Sequence, residues 1–278
     1  MSGEIKLRAL SLGAGVQSTT LALMAAAGEI GPMPDCAIFA DTQWEPRKVY
    51  DHLDRLEKLL PFPVYRVSIG NILDHIKLQT QGGRKNGAKA RFASIPWFTL
   101  NMRGEKGQGR RQCSREFKIE PITRKQRELL GVPKGARVKD HVEVWIGIST
   151  DEAHRMKPAF MKWQTNRWPL IEAGMSRTDC LAWMKAHGHP EPPKSACIGC
   201  PFHSDAMWKD MKDNHPEEWK NAVEVDRLIR GGGTQSGMDA QQFMHAQRKP
   251  LEEVDLRTDT EKGQRNLFGN ECEGICGV

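Results

Sequence analysis

The sequence predicts an α/β fold, with a doubly wound and mostly parallel sheet followed by a helical C-terminal part that carries cysteines. Short apolar runs alternate with helix-like segments in the first half of the chain, which is the pattern of strands linked by crossover helices. Polar residues directly follow several of these runs, as expected where strands end at a ligand site. A Cys-x-x-Cys at Cys197 and Cys200 marks the C-terminal part. The 278 residues are enough for one large domain or for a core domain with an appendage.

The first element is a short buried strand that ends at Leu12, and a small-residue turn leads from it into an Ala-rich helix from Thr20 to Ala27. Small side chains let the backbone approach a ligand, and the unpaired N–H groups that open a helix attract anions. The turn therefore predicts a phosphate site; tight packing of a helix on a strand is the alternative. The candidate phosphate-binding residues are Ser11, Gly13, Ala14, Gly15, Gln17, Ser18 and Thr19.

Two further strand and helix pairs follow. The runs Cys36 to Ala40 and Val64 to Val67 predict strands, and apolar spacing predicts helices from about Arg47 to Leu60 and from Asn71 to Leu78. Asp41 comes directly after the second strand, at the sheet edge where such folds bind ligands. We therefore count Asp41 as a candidate site residue; a helix-capping or turn role is the alternative.

A basic segment interrupts this pattern. Few signals of regular structure occur from Gln79 to Gln112, so we predict a long basic insertion there. Cations with aromatic residues between them suit contact with phosphates and stacking on bases, and the segment predicts a nucleic-acid partner. From Lys77 to Lys118 there are two acids and eleven basic residues, which are Lys77, Arg84, Lys85, Lys89, Arg91, Arg103, Lys106, Arg110, Arg111, Arg115 and Lys118. Burial in the core is the alternative for its aromatic residues, which are Phe92, Trp97 and Phe98.

Strands and helices continue to alternate in the second half of the chain. The segment Cys113 to Pro121 leads into an expected helix that has Pro121 in its first turn and reaches about Leu130. The apolar run Val142 to Ile148 predicts another buried strand. Polar residues 149–155 follow that strand. Ser176, with an aspartate three residues on, predicts a capped helix that reaches about His187.

These elements divide the chain into three predicted parts. Residues 1–170 form an α/β domain that carries the phosphate turn and the basic insertion 79–112. Residues 171–230 form a helical region around the Cys-x-x-Cys, and residues 231–278 form a polar C-terminal tail.

The composition indicates where the protein acts and what kind of site its cysteines form. Lys and Arg outnumber Asp and Glu by 41 to 35, a formal net charge of +6 that is concentrated in the basic insertion. The sequence has no run of eighteen apolar residues and no secretory signal, so we expect a cytoplasmic protein without membrane contact. Seven cysteines, an odd number in a long chain, indicate a metal or redox site rather than a disulfide framework.

Five motifs in a fixed order resemble those of one superfamily. The loop Gly13 to Ser18 is similar to Ser-Gly-Gly-x-Asp-Ser, with glycine in place of the first serine and Gln17 in place of the aspartate. The segment Phe39 to Thr42 resembles an Asp-Thr-Gly signature after the second strand. The remaining motifs are Cys113 to Pro121, which resembles Cys-x-x-x-x-Lys-x-x-Pro, then Trp145 to Arg155 and Pro169 to Ile171.

From these motifs, over about residues 7 to 215, the chain resembles the phosphoadenosine-phosphosulfate (PAPS) reductase branch of the PP-loop ATP pyrophosphatases. The resemblance implies a PP-loop, HUP-like α/β fold of the adenine nucleotide alpha hydrolase type, with ATP and Mg²⁺ as cofactors. The implied cofactor-binding residues are Ser11, Gly13, Ala14, Gly15, Gln17, Ser18, Thr19, Phe39, Asp41 and Gly147. The implied catalytic residues are Ser18, Asp41, Arg115, Lys118 and Arg155.

Three cysteines lie at positions that resemble iron–sulfur ligands in reductase and nucleic-acid-thiolating relatives. They are Cys113, Cys197 and Cys200. Thiolates are soft donors, and the resemblance implies a [4Fe-4S] cluster, with four-thiolate zinc as the alternative. The fourth ligand is Cys272 or Cys276, or the fourth iron stays open and holds sulfur. Cys36 and Cys180 are expected to be small buried side chains.

The resemblance implies an ATP pyrophosphatase that adenylates a nucleic acid for sulfur insertion. Its parts are most similar to the ATP pyrophosphatase component of DNA phosphorothioation systems, with tRNA thiolation next. The segment 77–118 would contact the DNA or tRNA, and a cysteine desulfurase would supply sulfur. One alternative is a PAPS or adenylyl-sulfate reductase; the other is a non-catalytic nucleotide- and cluster-binding module, which Gln17 favours. Whether the chain forms a homodimer stays open.

Overall fold

The computed structural model describes residues 4–80, 84–85, 88–89, 95–159, 161–232, 240–257 and 261. The chain divides into two compact units. The first, called the sheet unit, comprises Met1–Asp41, Arg47–Ile69 and Phe117–Ser195. The second, called the cysteine unit, comprises Thr42–Pro46, Gly70–Glu116 and Ala196–Val278.

The described strands and helices are numbered in chain order. The strands are β1 Ile5–Leu12, β2 Cys36–Ala40, β3 Val64–Val67, β4 Arg84–Lys85, β5 Ala88–Lys89, β6 Phe98–Asn101, β7 Lys106–Gln108, β8 His141–Ile146, β9 Gln164–Arg167 and β10 Ala240–Phe243. The helices are α1 Val16–Ala26, α2 Arg47–Leu59, α3 Ile72–Thr80, α4 Glu120–Leu129, α5 Pro169–Glu172, α6 Arg177–Ala186, α7 Asp205–Asn214 and α8 Pro216–Gly232. None of these helices is long and apolar enough to cross a membrane.

The sheet unit contains a five-stranded parallel sheet in the order β3-β2-β1-β8-β9, which confirms the predicted fold class. The chain moves outward from β1 to β3 and then returns to pair β8 with the other side of β1. The strand order therefore reverses between β1 and β8. Ligands of such sheets bind at that reversal, outside the carboxyl ends of the strands.

Helices cover both faces of the sheet because its central strands are apolar on both sides. Leu10 and Phe39 pack toward a core shared with α1, α2 and α6. Their neighbours Ala9 and Ile38 lie in a second core, against which residues of α4 such as Ile122 pack. Alternate residues of one strand thus serve opposite cores, as the period of two in a strand requires.

The cysteine unit contains a three-stranded antiparallel sheet in the order β10-β6-β7. Phe98 of β6 lies opposite Gln108 of β7 and opposite Phe243 of β10. None of these three strands was predicted, because each has only three or four residues and lies in a segment with few other signals of regular structure. The four-residue strand β9 at the edge of the parallel sheet was missed because all of its residues are polar.

Candidate functional site

The turn between β1 and α1 has the backbone of an anion-binding loop. Gly15 is the N-cap of α1, and no side chain in the described ranges caps the first turn. Ala14 is fully buried and has a φ of 56°, a left-handed conformation that costs an L-residue about 1–2 kcal/mol. Such strain is concentrated at ligand sites. The N–H groups that open α1 are therefore available at the point where the strand order reverses.

The hydroxyl of Ser18 organises this loop from within. Its Oγ accepts a hydrogen bond from the Gly13 N–H at 3.2 Å and donates to the Gly15 carbonyl at 3.4 Å. Ser18 is buried. The structure therefore places Ser18, predicted as a direct phosphate contact, where it holds the shape of the loop.

Thr19 connects the loop to a histidine that sequence reasoning missed. Thr19 Oγ1 and His52 Nε2 are 3.0 Å apart and share a hydrogen bond, and both residues are buried. Burial, with the nearby Arg55 guanidinium, lowers the pKa of His52 from 6.5 to about 4. The imidazole is therefore neutral at physiological pH. A lone histidine among the polar residues of α2 gives no signal of this role in the sequence.

The segment after β8 lies directly against the start of α1. A Cβ on Gly147 would be 2.8 Å from the backbone N and Cα of Ser18, closer than real Cβ contacts come. Only glycine permits this approach. Gly147 thus joins the two loops on either side of the strand reversal, as its predicted place in the site requires.

Gln17 is held by the same segment. Its amide Nε2 donates to Glu152 Oε2 at 3.2 Å and lies 3.4 Å from Ser149 Oγ. The other carboxylate oxygen of Glu152 pairs with Arg155 Nη1 at 2.8 Å. Gln17, Glu152 and Arg155 form one network, in which an aspartate at position 17 would face the Glu152 carboxylate.

The predicted site residues at the ends of β1 and β2 have different surroundings. Asp41 follows β2, and its Oδ1 accepts a hydrogen bond from the Tyr50 hydroxyl at 2.8 Å. The Phe39 side chain is buried in the core, so it packs within the fold and does not line a ligand site. Ser11 lies within β1, half-buried, one residue before the strand ends.

Two predicted cationic residues lie on a π-helix that precedes α4. Ser114–Ile119 forms this element, and it contains Arg115 and Lys118. The boundary between the two units passes within it: Arg115 belongs to the cysteine unit and Lys118 to the sheet unit. π-Helical turns are rare and are frequent at functional sites.

Cys197 has close polar neighbours in the cysteine unit. Its Sγ donates to Glu45 Oε1 at 3.4 Å and lies 3.2 Å from Thr42 Oγ1, while the Thr42 hydroxyl also donates to Glu45. The Cys200 N–H donates to the Cys197 carbonyl at 3.0 Å, which closes the Cys-x-x-Cys turn. A Cβ on Gly199 would be 2.1 Å from the Trp44 ring, so this turn packs flat on that indole.

The described cysteines do not by themselves form a metal site. Within the described ranges, no group of three or more His, Cys, Asp or Glu side chains is placed to hold a metal ion. Cys113 is half-buried, and Cys272 and Cys276 lie outside the described residues. The ligand set predicted for a cluster is therefore not assembled by the described residues.

The expectation for the two remaining cysteines is confirmed. Cys36 and Cys180 are both buried, and burial raises the pKa of each thiol to about 12. Thiols with so high a pKa are neither nucleophiles nor metal ligands. They act as small core residues.

Comparisons with known proteins give matches among solved structures. No protein-family model matches the sequence, and no curated protein matches it. Among solved structures, the chain is similar to a phosphoadenylyl-sulfate (PAPS) reductase from Candida auris, crystallised as a phosphate complex. The two chains are 13% identical with a TM-score of 0.42, and the match covers 68% of this chain and 76% of the reductase.

Proposed function

We propose that the sheet unit binds ATP at the loops that follow β1 and β8, and that the chain transfers the adenylyl group to a nucleic acid. The observation that carries the proposal is the contact of Gly147 with the first turn of α1, since it closes a narrow backbone cradle at the strand reversal. Gly13, Ala14 and Gly15 place no large side chain in that cradle. The cradle suits a triphosphate, which needs backbone N–H donors and close approach.

Three basic residues are proposed to supply positive charge for the reaction. A substrate oxygen would attack the α-phosphorus while the bond to the bridging oxygen breaks and pyrophosphate leaves. Lys118 and Arg155 are our candidates for stabilising the charge that develops, with Arg115 as a third. Glu152 orients Arg155 through its 2.8 Å ion pair, and Gln17 in turn orients Glu152.

Asp41 suits Mg²⁺, which binds nucleotides through one or two carboxylates together with the phosphates and keeps several waters. The Tyr50 hydroxyl fixes the Asp41 carboxylate in position. When bound, Mg²⁺ would neutralise charge on the phosphates and on the leaving pyrophosphate.

We propose DNA as the acceptor of the adenylyl group, with tRNA as the second candidate. The reaction would support sulfur insertion, as in DNA phosphorothioation. The basic segment 77–118 supports a polyanionic partner. A cysteine desulfurase would supply the sulfur. A [4Fe-4S] cluster on Cys113, Cys197 and Cys200 with Cys272 or Cys276 remains a proposal from the cysteine pattern, and the adenylyl transfer above does not depend on it.

Pyrophosphate release from ATP, measured with and without DNA or tRNA, tests the proposed reaction. We expect release that depends on nucleic acid and falls about 10²–10³-fold in Arg155→Gln, because a charge-stabilising donor is lost. The exposed Arg137→Gln is the matched control and should retain full activity. The same preparations, made without air, are assayed for iron and visible absorption.

Each other outcome has a defined meaning. Thioredoxin-dependent sulfite production from PAPS, without pyrophosphate release from ATP, would replace the proposal with a sulfonucleotide reductase. Neither activity, with nucleotide still bound, would leave a non-catalytic binding module. A preparation that contains zinc or no metal would contradict the proposed iron–sulfur cluster. The proposed adenylyl transfer would then be tested by pyrophosphate release alone.

A further inference from the structure

The hairpin formed by β6 and β7 is a rigid element with an exposed tip. Leu100 pairs with Lys106 at the end of the ladder, and five residues, Asn101 to Glu105, form the turn. The Asn101 side chain accepts hydrogen bonds from the Arg103 and Glu105 N–H groups at 3.0 and 2.8 Å and donates to the Glu105 carboxylate at 2.6 Å. Asparagine side chains that bond the following backbone in this way fix the shape of a turn.

The side chain of Arg248 holds the base of the same hairpin. The Arg248 guanidinium donates to the Thr99 carbonyl at 3.0 Å and to the Gly107 carbonyl at 3.1 Å, so it bridges both strands. Its cationic carbon lies 5.4 Å from the centre of the Phe98 ring. The other edge of β6 pairs with β10. The hairpin is therefore anchored on one side, while β7 and the tip remain exposed.

The tip presents an apolar side chain to solvent. Met102 is 91% exposed, against 48% and 47% for Met33 and Leu59, the other exposed large hydrophobic residues of the described ranges. A polar residue would serve the turn equally well. Single exposed apolar residues are common on protein surfaces, so Met102 indicates a partner only in combination with the charged residues of the same hairpin.

Exposed cations lie on the same hairpin as the methionine. Arg103 follows it directly, Lys106 lies on the outer strand β7, and Arg110 follows that strand; all three are exposed. The only acid of the turn, Glu105, is bonded to the neutral amide of Asn101. With three cations and one carboxylate, the hairpin combines an apolar tip with net positive charge, which is complementary to a polyanion with an apolar interior.

We propose that this hairpin enters a groove of duplex DNA, with Met102 as an apolar wedge against the bases and the cations on the phosphates. The inference rests on the proposed nucleic-acid substrate and names the element that contacts it. Apolar side chains of proteins that read the major groove contact the methyl group of thymine in this way. The major groove of B-form DNA, about 12 Å wide, admits a two-stranded β-ribbon, whereas the deep, narrow major groove of A-form RNA does not.

Duplex binding by the full-length chain tests the inference directly. The probe is a fluorescent DNA duplex of mixed sequence, titrated by anisotropy in the absence of nucleotide. Met102→Ser should weaken binding about ten-fold, since the buried apolar contact is lost. Met33→Ser, which changes an exposed methionine of the sheet unit, is the matched control and should bind as the wild type does. Lys106→Gln should reduce the slope of log K against log salt by about 1, and Lys134→Gln should not.

The remaining outcomes separate this inference from the proposed function. Equal binding of the duplex by the wild type and by Met102→Ser would contradict the proposed contact of Met102 with the bases. This result would not bear on ATP binding or pyrophosphate release, which are measured separately. Preference for tRNA over the duplex, or for vesicles of anionic lipid, overturns the assignment of DNA. Absence of binding to any nucleic acid overturns both the hairpin and the proposed acceptor. Thermal unfolding at the wild-type temperature shows that the tip variants are folded.

Discussion

At the scale of single residues, His52 makes the stability of the phosphate loop depend on pH. Its imidazole shares a buried hydrogen bond with Thr19 of α1, and its pKa is lowered from 6.5 to about 4. Between these two values the unfolded chain binds a proton that the folded chain does not. Stability is therefore fully present above about pH 6.5 and is lost as the pH falls toward about 4.

We expect His52→Asn to remove this pH dependence. In the wild type, the free energy of unfolding should fall by up to about 3 kcal/mol between about pH 7 and pH 4, since each unit of pKa shift corresponds to about 1.4 kcal/mol. The variant should lose less over the same range. Urea unfolding at the two pH values measures the difference. The exposed His187→Asn is the control, and a His52→Asn profile parallel to that of the wild type would contradict the assignment.

Gln17 shows what residue-level reasoning from sequence could and could not predict. The sequence identified it as a departure from the superfamily loop and placed it in the phosphate turn. Its partner Glu152 is 135 positions away, so no local pattern could reveal the hydrogen bond between them. His52 and Tyr50 were missed for the same reason, since each acts through a contact that only the fold creates. Thr42 was part of a predicted motif, but its contact with Cys197 could not be predicted.

At the scale of elements, Asp226 joins α8 to the chain that follows it. The buried carboxylate pairs with Arg230 and accepts hydrogen bonds from the Met244 N–H at 3.0 Å and the Leu251 N–H at 2.9 Å. One side chain thus fixes the end of β10 and the short helix at Leu251–Glu253 against α8.

Asp226→Ala should therefore destabilise the cysteine unit strongly. The change leaves Arg230 and two backbone N–H groups without their buried acceptor, for which we expect a loss of about 3–5 kcal/mol in the free energy of unfolding. Glu224→Ala, at an exposed position of the same helix, should change it by less than about 0.5 kcal/mol. Denaturant titration compares the two variants. Similar values for both would show that Asp226 is not an anchor.

Elements with a clear apolar period were predicted well, and those without one were not. The amphipathic α2 and the apolar strands β2 and β3 occur within one residue of the expected bounds, and the capping box of Ser176 and Asp179 opens α6 as predicted. Strands β6, β7 and β10 lie in segments whose composition indicated irregular structure. β6 and β7 pair as a local hairpin, but the pairing of β6 with β10 and the hydrogen bonds from Arg248 come from segments about 140 positions away, which local patterns do not encode.

At the scale of the whole molecule, the candidate nucleotide site comes from segments distant in sequence that the parallel sheet brings to one edge. β1, β2 and β8 are adjacent, so the loop at Gly13–Ser18, Asp41 and the segment after Gly147 follow neighbouring strands. This juxtaposition could be predicted once the alternating strands and helices were identified. The direct packing of Gly147 on Ser18 could not, because it depends on the final distance between two loops.

The central claim is that this edge of the sheet binds an adenine nucleotide, and calorimetric titration with ATP and Mg²⁺ tests it most directly. We predict that the wild type binds ATP with a dissociation constant between about 1 μM and 1 mM, the range of typical substrates. Gly147→Ala, whose methyl group would collide with the Ser18 backbone, should bind at least about ten-fold more weakly. Gly231→Ala, which adds a methyl group into open space, should bind normally. A folded wild type that releases no binding heat with ATP, or a Gly147→Ala variant that binds as tightly, would contradict the account.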